Sequence, residues 1–211
     1  MKLLSFAGIM FFPYMAFAQV NYVFPEFLQG EIYYKGSAVA ASVNYNLFSS
    51  DMLVMNGSRK KRLADVDKIE YVSAGNKRFI PLNDNSFGEI LISGGLTLAV
   101  KYSGHIEKVN EHTGNISKLS LNKMLDSGNP LPEGITIRVD SSYYLIKERN
   151  EQKTFYLPGA NVAKASHSGF NKLFAKYRSE ISAFVESNNT DFSSFESLKQ
   201  LVEFCEKYVD R

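Results

Sequence analysis

The chain has 211 residues, 45% apolar and 22% charged, with a formal net charge of +2. That balance fits a packed globular core and lacks the pronounced basic stripe of a nucleic-acid binder, so none is expected as a partner. Cys205 is the only cysteine, which rules out an internal disulfide framework and leaves no lipobox cysteine for an N-terminal lipid anchor.

The chain opens with Lys2, an apolar run from Leu3 to Phe12 interrupted only by Ser5 and Gly8, and the small-x-small sequence Ala16-Phe17-Ala18. This order is that of a secretory signal peptide over 1–18, with Gln19 as the expected mature N-terminus. The segment is too short to span a bilayer, and no later stretch reaches about 18 consecutive apolar residues, so no transmembrane span is expected.

Residues 19–160 are expected to form an antiparallel β domain. Aromatics make up 13% of the chain, all Tyr and Phe, and such side chains pack well on a pleated surface. Glu31–Lys35 leads to a turn at Gly36. Ala38–Leu47 follows, with Val39, Ala41, Val43 and Tyr45 on one face. After a turn at Phe48–Asp51, the strand ending at Met55 meets Asn56-Gly57, a strong hairpin signal. Arg59-Lys60-Lys61-Arg62, the one dense basic run, reads as a solvated turn. Lys68–Ser73 and Arg78–Leu82 flank a second hairpin turn at Gly75-Asn76. Glu89–Ser93 and Leu96–Tyr102 flank a third at Gly94-Gly95. Ile135–Val139, Tyr143–Lys147 and Thr154–Leu157 complete the strands. The 68–82 and 143–158 hairpins share a Lys-x-Phe start to the second strand and a proline near its end, where a missing N–H suits a strand end or sheet edge.

Between residues 103 and 134 the strand pattern lapses into glycines, prolines and polar residues. Connections this long tend to carry function, so 103–134 is the first candidate for a binding loop. In 161–211 the period changes to that of helices. Phe170, Leu173, Phe174, Tyr177, Ile181, Phe184 and Val185 follow i, i+3, i+4 spacing, with Ser166 or Ser168 as the cap. Ser193 and Glu196 fit a capping box for a second helix bearing Leu198, Leu201, Val202, Cys205 and Tyr208 on one face. The fold class is therefore α+β: an antiparallel sheet, sandwich-like or a partly closed barrel, with two short C-terminal helices.

The sequence lacks Gly-x-Ser-x-Gly, a P-loop and Gly-x-Gly-x-x-Gly, and Cys205 lies on an apolar helix face where a thiol is inert. No catalytic, cofactor-binding or metal-binding residue is therefore assigned, and no cofactor is expected. His105, Glu107, Glu111 and His112 are the strongest metal-ligating candidates, although their spacing matches no helical zinc pair. Asp65 and Asp67 read as a polar turn. Asn56-Gly-Ser58, Asn115-Ile-Ser117 and Asn188-Asn-Thr190 match the glycosylation pattern, whose meaning depends on the host.

Asn44-Tyr-Asn-Leu-Phe-Ser-Ser-Asp-Met52, then Val66–Tyr71 and Arg78–Pro81, together with the tail Gly169–Ile181, Phe192, Leu198 and Leu201–Phe204, resemble exported Bacteroidota β-rich proteins of uncharacterised function with a two-helix C-terminal tail. The resemblance implies a periplasmic or outer-membrane location and carries over no activity. The leading expectation is a non-enzymatic accessory protein that binds a protein partner in the cell envelope, its exposed hairpins open to strand addition. The alternatives are a small-ligand-binding barrel with Tyr33, Tyr45, Tyr102 and Tyr143 in its cavity, and a metal-dependent hydrolase around His105–His112.

Overall fold

A computed structural model describes residues 21–82, 84–108, 135–147 and 162–209. The signal segment 1–18 and the strand expected at Thr154–Leu157 lie outside these residues. The strands are β1 (Leu28–Tyr34), β2 (Ser37–Asn46), β3 (Asp51–Asn56), β4 (Arg59–Arg62), β5 (Ile69–Ala74), β6 (Lys77–Pro81), β7 (Phe87–Ile92), β8 (Leu96–Lys108), β9 (Ile135–Lys147) and β10 (Val162–Lys164). They form one antiparallel ten-stranded sheet in the order β10-β9-β8-β7-β6-β5-β1-β2-β3-β4. The sheet is two meanders joined where β1 pairs with β5. It is not closed: β10 and β4 are its edges.

One face of the sheet can be followed through its paired residues. Leu98 lies opposite Leu145, Val100 opposite Glu89, Glu89 opposite Phe79, Phe79 opposite Val72, and Val72 opposite Ile32. Period-2 alternation carries the same face along β2 to Val43 and Tyr45. The sheet then curls over itself. In the β2–β3 turn, Ser50 O accepts from Phe87 N at 2.8 Å, and Leu47 O accepts from Gly104 N at 2.8 Å. The curl stacks the Tyr45 ring on Phe79, centroids 5.4 Å apart. It buries Val43, Tyr45, Met52, Val72, Phe79 and Phe87 in one cluster.

The other end of that face is covered by helices α1 (His167–Leu173), α2 (Arg178–Ser187) and α3 (Phe195–Glu206). Phe170, Ile181, Leu198, Leu201, Val202 and Cys205 pack on Leu96, Leu98 and Leu145. Each such leucine withdrawn from water contributes about 2 kcal/mol. Glu206 ties α3 to the sheet by accepting from Leu96 N at 3.1 Å.

The structure corrects several expectations. The strand expected to end at Tyr102 runs to Lys108, because Ser103–Lys108 pairs residue for residue with Ile135–Asp140; its glycine and polar side chains are tolerated on an arm that buries little. The rest of the proposed loop, 109–134, lies outside the described residues. Arg59–Arg62 is strand β4 rather than a turn; as an edge strand it can expose all four cationic side chains. The turn before it is Gly57-Ser58, since Asn56 pairs with Arg59.

The first expected helix is broken at Phe174, followed by a 3-10 turn at Ala175–Tyr177. Asn171 O, deprived of its helical donor, accepts from Arg178 Nε at 3.1 Å. Ser166 caps α1 by accepting from Gly169 N at 3.2 Å. The α3 cap is Ser194, one residue beyond the expected Ser193, whose N and Oγ donate to Asp191 instead.

Candidate functional site

Strands β8 and β9 form a long two-stranded arm with thirteen paired positions, Leu96↔Lys147 through Lys108↔Ile135. Ile135-Thr-Ile-Arg-Val-Asp140 alternates apolar and polar side chains, so the ladder stays in register while one face remains wet. On that polar face Arg138 donates from Nη1 to Glu107 at 2.5 Å and from Nε to Asp140 at 2.9 Å. His105 Nε2 lies 3.4 Å from Asp140 Oδ2. These charges satisfy one another on the surface.

The arm presents a strand edge. β10 pairs with β9 only at Tyr144, Leu145 and Ile146, and Ala165 N donates to Tyr143 O at 2.7 Å. In an antiparallel strand the N–H and C=O of one residue point the same way and alternate along the chain. Because Tyr143 faces away from β8, so do Ser141, Val139, Ile137 and Ile135. Among the described residues no strand pairs with those four. Val139 is also one of the large apolar side chains left exposed, at 46%.

The candidates named from sequence fare differently. His105 and Glu107 sit on the arm, bound into its ion pairs; Glu111 and His112 lie outside the described residues. Among the described residues no three His, Cys, Asp or Glu side chains are placed to hold a metal ion. Asp65 and Asp67 line a cleft of about 720 Å³ with Asp51 and Asp84. Three of these carboxylates are already paired: Asp51 with Arg62, Asp65 with Lys68 at 2.9 Å, and Asp84 with Lys101 at 2.5 Å.

The four tyrosines do not share a cavity. Tyr33 lies on the opposite sheet face from Tyr45, stacked on Tyr71 with centroids 4.1 Å apart. Tyr45 is buried, its hydroxyl 3.0 Å from the carbonyls of Phe87 and Tyr102, and burial raises its pKa. Tyr102 Oη donates to Glu89 at 2.9 Å, and Tyr143 packs under the helices. Cys205 is buried at the helix–sheet contact, and desolvation pushes its thiol up to about 12.

Sequence reasoning did not find the edge of β9 that no strand among the described residues pairs with. Its signal was the Ile-x-Ile-x-Val alternation, but which edge of a strand is left unpaired depends on non-local topology. No helix among the described residues is long and apolar enough to cross a membrane. Comparison with protein-family models, curated proteins and solved structures found no match.

Proposed function

We propose that the chain is an exported, non-enzymatic accessory protein of the cell envelope that binds a protein partner by strand addition along β9. The observation that carries this reading is the outward row of peptide groups at Ile137, Val139 and Ser141, with which no strand among the described residues pairs. An extended segment laid against that edge gains main-chain hydrogen bonds, and side chains alternating with it set specificity. Edge strands usually deter such pairing with unpaired charge. Here Arg138 is ion-paired with both Asp140 and Glu107, so its cation is not left unpaired against an incoming strand. The signal-like segment 1–18 and the resemblance to exported Bacteroidota proteins support the periplasm or the outer membrane as the place of action.

The test is capture from detergent-extracted native envelope with a C-terminally tagged chain, in wild-type and Val139→Pro forms. Proline at 139 removes an outward N–H and leaves the β8 ladder, which uses the alternate residues, intact. A stoichiometric membrane-protein partner that is lost with Val139→Pro, at unchanged circular dichroism, is the expected result. No partner, or one retained equally by the variant, contradicts the reading.

A further inference from the structure

β4 is the last strand of the sheet, at the end of the strand order remote from β9. Its four residues, Arg59-Lys60-Lys61-Arg62, are all cationic and all exposed. Opposite them on β3 stand Asn56, Met55, Val54 and Leu53, none of them acidic. Arg62 is ion-paired with Asp51, whereas Arg59, Lys60 and Lys61 have no carboxylate partner among the described residues. Lys60 is held in place, its Nζ 3.2 Å from Tyr22 Oη and 4.9 Å from that ring's centroid. Leu63 N donates to Met52 O at 3.1 Å, so Leu63, Lys61 and Arg59 turn their peptide groups toward β3. Alternation then leaves the peptide groups of Lys60 and Arg62 facing outward.

Like charges two residues apart on a strand share a face about 7 Å from one another, and they repel. Edge strands are commonly blunted by a charged side chain, but blunting does not call for an unbroken cationic run. The two rows, Arg59 with Lys61 and Lys60 with Arg62, lie on opposite faces of the strand, so they do not converge on one small anion. They straddle the sheet edge, and that suits an extended anionic surface met edge-on. We infer that β4 docks the chain onto a bilayer surface carrying anionic phospholipid headgroups. Side chains from both faces reach the headgroup phosphates, and the outward N–H groups of Lys60 and Arg62 add donors along the same line. Polybasic clusters of this size bind anionic leaflets through the sum of such contacts. The surface is independent of the β9 edge and leaves that edge free for a protein partner.

The test is sedimentation of the chain starting at Gln19, the expected mature N-terminus, with vesicles of equal parts phosphatidylglycerol and phosphatidylcholine, and with vesicles of phosphatidylcholine alone. Starting there keeps the apolar segment 1–18 from partitioning on its own. Binding to the mixed vesicles should be roughly tenfold or more tighter than to phosphatidylcholine. It should fall steeply between about 0.1 and about 0.5 M NaCl as the charges are screened. Lys60→Gln combined with Lys61→Gln should weaken it roughly tenfold or more, with the circular dichroism spectrum unchanged. Lys172→Gln combined with Lys199→Gln, which removes exposed cations on α1 and α3, should leave it unchanged. Equal binding to both vesicles, no binding to either, or equal loss in the two double variants overturns the assignment. So does polyglutamate bound as tightly as the mixed vesicles, which would make the partner an acidic protein segment.

Discussion

At the scale of single residues, the fold is held by polar groups that sit inside it fully paired. Asn44 is completely buried. Its Oδ1 accepts from Tyr45 N and Phe24 N, and its Nδ2 donates to Phe24 O and Glu26 O at 3.0 and 2.9 Å. It thereby fastens the segment entering β1 onto β2. Glu89 is buried but accepts from Lys77 at 2.5 Å and Tyr102 at 2.9 Å. Asp84 gives a measurable consequence. Burial disfavours its charged form, but hydrogen bonds from Lys101 and Ser86 outweigh that and hold the carboxyl below its usual value. A depressed folded pKa adds stability that is present above the unfolded value, about 4, and is lost as pH falls through the lower folded one. Asp84 is more than half exposed, so the gain is at most about 1 kcal/mol. Urea denaturation should find Lys101→Gln less stable than wild type at about pH 6, with the difference gone by about pH 2. A difference that persists at the acid end would assign the effect to packing of the lysine stem. The pairings of Asn44 with Phe24 and Glu26, of Glu89 with Lys77 and Tyr102, and of Asp84 with Lys101 were not legible in the sequence, because each joins positions well separated along the chain.

At the scale of elements, local chemistry was readable wherever the contacts are local. The change from period 2 to period 3.6 near Ser166 located the helices, and Gly36 and Gly75 marked the turns they make with positive φ. The break at Phe174 was not readable, because the apolar spacing runs on unchanged through it. Its cause is tertiary: the bend lets Phe170 and Ile181 reach one cluster under α3. β4 was missed for a related reason, since a run of four cations has no apolar face and becomes a strand only by pairing with β3. Gly169 shows how tightly α1 is seated. A Cβ there would lie 1.9 Å from Lys164 O. Gly→Ala in a helix ordinarily stabilises by up to about 1 kcal/mol; here Gly169→Ala should destabilise, by roughly 2 kcal/mol or more. Thermal unfolding checks this, and an unchanged or raised Tm would mean that α1 shifts freely on β10.

At the scale of the whole molecule, one apolar face is covered twice over, by the curl of the sheet at one end and by three helices at the other. The antiparallel α+β class was legible from strand and helix periodicity. The insertion of β1 between β5 and β2 was not, because it sets residues about forty apart in register, and local pattern carries no such information. The same topology leaves β9 longer than its outer neighbour, which is the basis of the proposed partner binding. Amide hydrogen exchange on the isolated chain and on its envelope complex tests that claim most directly. The account predicts that Thr136, Arg138, Asp140 and Ser142 are protected in both, and that Ile137, Val139 and Ser141 exchange rapidly alone and become protected in the complex. Protection of those three already in the isolated chain, or rapid exchange that persists in the complex, would contradict it.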